Sequence, residues 1–220
     1  MSEKPPRIAL VHALELSMAP INAAFDRLWP EAVRMNLLDD SLSRDLAAAG
    51  TLDDAMIERF IRLGRYAWQE GGADCLLFTC SAFGAAIDAV AAELPVPVFK
   101  PNSAMIDQAV AAANGRPIAL LASFAPTLAS MPPEFPAGTD LRPIHVAGAL
   151  AAAQAGRGDE HDTLVAQAAA QSVADGCGVI ALAQFSLARA RALVADRVPG
   201  VAVLVTPDCA VEAVRKRLGG

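Results

Sequence analysis

The sequence predicts an α/β protein made of two similar halves, and three observations carry that prediction. Short apolar runs alternate with longer stretches of helical periodicity through the 220 residues, the pattern of βα units feeding a parallel sheet. The runs are continuously apolar, as in strands covered on both faces. A segment also recurs: Gly72-Ala73-Asp74-Cys75-Leu76-Leu77-Phe78-Thr79-Cys80-Ser81-Ala82-Phe83 aligns without gaps on Gly176-Cys177-Gly178-Val179-Ile180-Ala181-Leu182-Ala183-Gln184-Phe185-Ser186-Leu187, 104 positions later. At that shift Val90 meets Val194, Pro95 meets Pro199 and Phe99 meets Val203, while Arg7-Ile8-Ala9-Leu10 resembles Arg116-Pro117-Ile118-Ala119-Leu120 at a slightly larger one. Two copies of a roughly 100-residue αβ module follow.

Taken in order, the expected strands are Arg7–Ala13, Ala32–Leu37, Ala73–Thr79, Val96–Phe99, Arg116–Ala122, Leu141–Val146, Val179–Ala183 and Val201–Val205. A helix is expected over Asp53–Gln69, opened by Thr51-Leu52-Asp53-Asp54 in a capping-box pattern. Another spans Asp162–Ala174 and is closed by Asp175-Gly176. Ser103–Ala113 and Asp208–Leu218 follow the last strands of the two copies in the same way. This organisation predicts an N-terminal αβ lobe over residues 1–105 and a C-terminal αβ lobe over 106–206. The final segment, 207–220, is expected to pack back on the first lobe.

Composition narrows the function classes. Hydrophobic residues reach 54% but aromatics only 5%, and every long apolar stretch is broken by charge or proline before a membrane span's length is reached, despite a mean hydropathy of +0.36. The opening Met1-Ser2-Glu3-Lys4-Pro5-Pro6-Arg7 leads into too short and polar a run for a secretory leader. A net charge of −6 and a pI near 5.0 argue against a nucleic-acid partner, and Arg215-Lys216-Arg217 reads as a helix C-terminus complementing its dipole. The 4 cysteines have no C-x-x-C spacing and the 3 histidines no H-E-x-x-H, so no metal site is expected and a reducing, cytoplasmic setting fits. There is no G-x-G-x-x-G after a strand, no P-loop and no G-x-S-x-G elbow. Ala-rich helices are compatible with a homo-oligomer.

Parallel sheets bind ligands at the carboxyl ends of their strands, so the residues just past each strand are the candidates. Cys80-Ser81 follows one such strand, and its counterpart is Gln184-Phe185-Ser186. A thiol at a helix N-terminus is expected to have a lowered pKa, which would make Cys80 reactive; packing as an inert small apolar residue is the alternative. Cys75 and Cys177 are expected in the core, and Cys209 in a structural role. His12, Asn102, Ser123 and Thr127 are strand-end polar residues able to bind a small carboxylate, and His12 could serve as acid or base. His145 and His161 are read as structural. Lys100 could attract an anion, although a solvated lysine before Pro101 is commoner. Phe83, Phe124 and Phe185 would either meet an apolar substituent or pack behind the site.

The segment Leu76-Leu77-Phe78-Thr79-Cys80-Ser81-Ala82-Phe83-Gly84, with the duplicated module, the stretches Ala147-Gly148-Ala149 and Gly158-Asp159-Glu160-His161-Asp162, and Gly176-Cys177-Gly178-Val179-Ile180-Ala181-Leu182-Ala183, resembles the aspartate/glutamate racemase superfamily. That superfamily also holds hydantoin racemases, maleate cis-trans isomerases and arylmalonate decarboxylases. The resemblance implies two pseudo-symmetric flavodoxin-like lobes with the site in the inter-lobe cleft, and catalysis without cofactor or metal. It also implies proton transfer at the carbon next to the carboxylate of a small acid, with one cysteine from each lobe. Cys80 matches the first of these, but Gln184 stands at the second, and an amide does not exchange a proton near neutral pH. The implied site therefore has Cys80 and His12 as catalytic groups, with Ser81, Asn102, Ser123, Thr127, Gln184 and Ser186 binding the carboxylate substrate. A one-thiol decarboxylase and a carboxylate binder without turnover are the alternatives, and a flavin-binding protein is a third.

Overall fold

The computed structural model describes residues 4–219; the Met1-Ser2-Glu3 opening of the leader reading and the last residue of the 207–220 segment lie outside the described residues. The chain divides into two units, one running to Pro101 and taking up the stretch from Ala210 onward, the other Asn102–Cys209.

The first unit contains β1 (Arg7–His12), α1 (Met18–Leu28), β2 (Val33–Leu38), α2 (Leu42–Ala49), α3 (Asp54–Arg65), β3 (Cys75–Phe78), α4 (Gly84–Glu93) and β4 (Val98–Phe99). Its sheet is parallel in the order β2-β1-β3-β4. The central strands are apolar runs buried on both faces: every residue of β1 after Arg7 and all of β3 is buried. α3 starts one residue later than the expected Asp53, which instead caps it by accepting from the Met56 N–H at 2.8 Å. Met56, Phe60 and Gly64 form the buried stripe of α3. Gly64 is the point of closest approach to α4, since a Cβ there would meet Val90 Cγ1 at 2.7 Å. The helical run continues as a π-turn over Tyr66–Glu70, so the expected Asp53–Gln69 helix is an α-helix followed by a wider turn.

The second unit contains α5 (Ser103–Ala113), β5 (Ile118–Ala122), α6 (Ala125–Ser130), β6 (Leu141–His145), α7 (Ala149–Gln154), α8 (Gly158–Ala174), β7 (Val179–Leu182), α9 (Arg191–Arg197) and β8 (Ala202–Val205). Its sheet is parallel in the order β6-β5-β7-β8, strand for strand the topology of the first. The division falls ahead of α5, whereas the sequence boundary at residue 105 lies inside it, because Met105, Ile106 and Ala109 pack in one cluster with Ile118, Leu120, Val179 and Ala181. The expected helix over Asp162–Ala174 begins four residues earlier and takes His161 into its first turn. The last helix, α10 (Thr206–Leu218), starts in the second unit; within the first unit Arg215 donates to the Leu28 carbonyl at 2.9 Å.

Interstrand hydrogen bonds confirm the repeat residue by residue. Thr79 N–H donates to the Val11 carbonyl as Ala183 N–H does to Leu121, and Asp39 N–H to His12 as Val146 N–H does to Ala122. His12 and Thr79 of the first unit thus correspond to Ala122 and Ala183 of the second. Among the described residues, no helix is long and apolar enough to cross a membrane, and no His, Cys, Asp and Glu cluster could hold a metal ion.

Candidate functional site

Cys80 and Gln184 occupy the same place in their units, two residues beyond the central strands β3 and β7, each in extended conformation just before a 3₁₀ turn. Their surroundings differ. Cys80 is half-buried and packs against the apolar cluster of its unit. With His12, Leu42, Phe60 and Phe78 it borders a tightly packed recess with no room for a water molecule. Phe60 holds this wall together, its ring centroid 5.5 Å from that of Phe78 and 4.7 Å from that of Phe83. Burial pushes the Cys80 thiol up from its ordinary pKa, and the Ala82 N–H directed at the sulfur only partly offsets this. This direction is opposite to the lowering expected from the helix terminus, because loss of hydration outweighs one backbone donor.

His12, at the end of β1, is fully buried. Its Nδ1 lies 2.9 Å from Thr79 Oγ1 and its Nε2 lies 3.0 Å from Asn36 Oδ1. Asn22 Nδ2 donates to the same Asn36 oxygen at 2.9 Å. With Asn36 Oδ1 as acceptor, Nε2 carries the proton of the neutral ring and Nδ1 accepts from the Thr79 hydroxyl. Burial lowers the His12 pKa, against the opposing hydrogen bond to Asn36. In this arrangement both ring nitrogens are engaged, so the ring braces the strand end beside Cys80 and has no nitrogen open to a substrate.

In the second unit, Gln184 Oε1 accepts from Ser123 N–H at 2.7 Å, Ser123 Oγ at 3.0 Å and Phe124 N–H at 3.2 Å. Two backbone donors identify the atom they meet as the carboxamide oxygen. Ser123 is buried, Phe124 is 48% exposed, and His145 donates Nε2–H to the Ser123 carbonyl at 3.3 Å. The donors expected to take a substrate carboxylate are therefore held by a side chain of the same unit.

The remaining candidates are dispersed. Ser81 and Ser186 are half-buried in the 3₁₀ turns after Cys80 and Gln184. Thr127 is buried in α6, where its carbonyl accepts from Ser130 Oγ at 3.4 Å. Asn102 precedes α5, buried, with Nδ2 lacking a partner among the described residues. Lys100 pairs with Asp88 at 2.7 Å, which neutralises the cation offered for an anion. Cys75 and Cys177 are fully buried, and burial raises the Cys75 thiol to about 12. Cys209, also buried, donates to Gln108 Oε1 at 3.2 Å.

No family model matches the chain, and no curated protein matches it in sequence. Solved structures do. The chain is similar to allantoin racemase from Klebsiella pneumoniae (18% identity, TM-score 0.73, covering 97% of this chain and 88% of that one) and to a glutamate racemase from Bacillus anthracis (11%, 0.70, 99% and 84%). It is also similar to an arylmalonate decarboxylase (18%, 0.64, 98% and 94%). At these identities the likenesses show that the chain shares the fold of these racemases and of the decarboxylase.

The repeat in the sequence marks Cys80 and Gln184, but nothing in it marks Asn22, Asn36, Thr79 and His145 as neighbours of the strand-end groups. Asn36 left a faint signal, a carboxamide inside the β2 run Val33–Leu38. His145 was placed correctly in its strand, and only the pairing of β6 with β5 brings it to Ser123.

Proposed function

We propose that the chain is a cofactor-independent enzyme of the racemase and isomerase kind that moves a proton at the carbon next to the carboxylate of a small acid, with Cys80 as its one proton-carrying side chain. The observation that carries this reading is the asymmetry at equivalent positions: a thiol at Cys80 packed against an apolar cluster beside the His12–Thr79 pair, against a clamped carboxamide at Gln184 beside Ala122 and Ala183. A thiol kept protonated by burial suits donation to a carbanion better than attack as a nucleophile.

The chemistry is one-sided. When electron density collects on the α-carbon as an enediolate, by loss of carbon dioxide or by transfer of the α-proton to the thiolate left once the Cys80 thiol has given its proton to solvent, the Cys80 S–H bond then breaks and a C–H bond forms on one face. The resulting thiolate regains its proton from solvent. Ser81, the residue after Cys80, is assigned to the enediolate oxygen, where a fixed donor lowers the barrier; within the second unit, Ser123, Thr127 and Ser186 are assigned to binding a carboxylate. Asn102, whose Nδ2 has no partner among the described residues, is assigned the same role. The decarboxylase alternative fits this scheme as readily as an isomerase does. A cytoplasmic setting suits the four free cysteines.

The test is solvent-deuterium incorporation at the α-carbon, read by NMR, over 2-substituted malonic acids and small monocarboxylic acids. Incorporation on a single face, falling on the order of 10³-fold in Cys80→Ser, is expected. Full turnover by Cys80→Ala on the same substrate would overturn the assignment. A carboxylate binder without turnover is the second reading, favoured by the occupied donors around Gln184. It predicts thermal stabilisation by carboxylates with no deuterium incorporation from any acid.

A further inference from the structure

The Gln184 contact has a chemical form of its own. Three donors from two consecutive residues, Ser123 N–H, Ser123 Oγ–H and Phe124 N–H, converge on one oxygen at 2.7, 3.0 and 3.2 Å. That oxygen comes from a residue 61 positions away and is the sp² oxygen of a carboxamide, the side-chain atom nearest in shape to a carboxylate oxygen. Gln184 is only half-buried and Phe124 is 48% exposed, so the contact lies where solvent and solutes reach it. An amide oxygen carries only partial charge, and hydrogen bonds to an ionised acceptor are roughly twice as strong.

We propose that Gln184 is a built-in competitor for these donors: its carboxamide oxygen sits where a ligand's carboxylate oxygen would sit, and an acid binds the second unit only by displacing it. The inference rests on the assignment of Ser123 to the substrate carboxylate made above, and adds that occupancy of that position is regulated from within the chain. Gln184 then sets a threshold, since a weakly basic acceptor such as an ester or amide oxygen does not outbid the residue already in place, whereas a carboxylate does. No proton transfer is required of Gln184; its role is selection by competition.

The experiment titrates malonate against wild type, Gln184→Ala and Gln184→Glu by calorimetry, and records the Tm of each protein without ligand. Emptying the donors in Gln184→Ala is expected to raise malonate affinity by about 10-fold, the magnitude of one or two net hydrogen bonds. Adding Ser123→Ala to that variant removes one donor and is expected to reverse most of the gain. Gln184→Glu fills the same donors with an ionised oxygen, so it should melt above wild type at pH 7 and lose malonate binding. Malonate affinity in Gln184→Ala equal to or below that of wild type overturns the proposal. If Gln184→Ala does not fold, Gln184→Glu decides alone: a Tm below wild type with malonate binding retained overturns it. Affinity is read without turnover, so a gain in Gln184→Ala alongside a catalytically indifferent Cys80 would leave the competitor standing and remove the proton-transfer reading.

Discussion

The Nδ1 atom of His12 lies 2.9 Å from the hydroxyl of Thr79, across the boundary between neighbouring parallel strands and next to Cys80 in sequence. The equivalent positions of the second unit are Ala122 and Ala183, both buried. A buried polar pair stands, in the cysteine-bearing unit alone, where two methyl groups serve the same packing purpose in the other.

Replacing His12 with Ala strands Thr79 and Asn36 without their ring partner and leaves a cavity, so we expect a loss of about 2–3 kcal/mol in urea unfolding. The pH dependence is sharper evidence. Because burial lowers the folded-state pKa of His12, the unfolded chain takes up the proton first as pH falls below about 6.5. Stability is complete above that pH and declines below it, until the folded-state pKa is passed, with a slope of at most ~1.4 kcal/mol per pH unit for one proton. The His12→Ala protein should lack that contribution, and superimposable pH profiles of the two proteins would show that the ring is not held neutral.

Cys80 is the least buried of the four thiols, yet its pKa is raised. Alkylation by iodoacetamide, followed with Cys80→Ser as the control, should therefore be slow at pH 7 and rise through an apparent pKa above the ordinary thiol value. Cys75, held near 12, should stay unlabelled in the native protein. A Cys80 inflection below pH 8 would mean that a cationic or hydrogen-bonding partner absent from the described surroundings stabilises the thiolate.

Phe60 joins the α3 stripe to the wall behind Cys80 through both Phe78 and Phe83. Truncation to Ala should cost about 3–5 kcal/mol and enlarge the recess beside the thiol. Water entering that space would reduce the desolvation that raises the Cys80 pKa, so alkylation at neutral pH should speed up in Phe60→Ala. An unchanged rate would place the source of the shift elsewhere.

Much of the architecture was legible before any coordinates. All eight strands fall on the apolar runs read from the sequence, with no end shifted by more than two residues, and Ser103–Ala113 is helical over its whole expected length. The repeat located Cys80 and Gln184 at matching strand ends, and the two sheets share one strand order. Starts were harder to read: the helix expected from Asp162 begins at Gly158, behind an arginine that makes no side-chain cap. What marks that start is the acidic first turn, Asp159 and Glu160, rather than a capping side chain.

Sequence alone determined the α/β class, the two-fold repetition and the placing of a thiol and a carboxamide at equivalent strand ends. These follow from periodicity and local preference, which act over a few residues and so are written along the chain. Tertiary structure decided the chemistry of those positions. The Cys80 thiol is raised because packing around Phe60 and Phe78 strips its hydration, and His12 is closed because Asn36 and Thr79, 24 and 67 positions away, arrive on neighbouring strands. Gln184 is clamped because β5 and β7 pair in register, bringing Ser123 within 2.7 Å of a residue 61 positions on. Parallel neighbours are joined only by long crossovers, so strand-end partners are distant in sequence, and desolvation is a property of the whole packed environment.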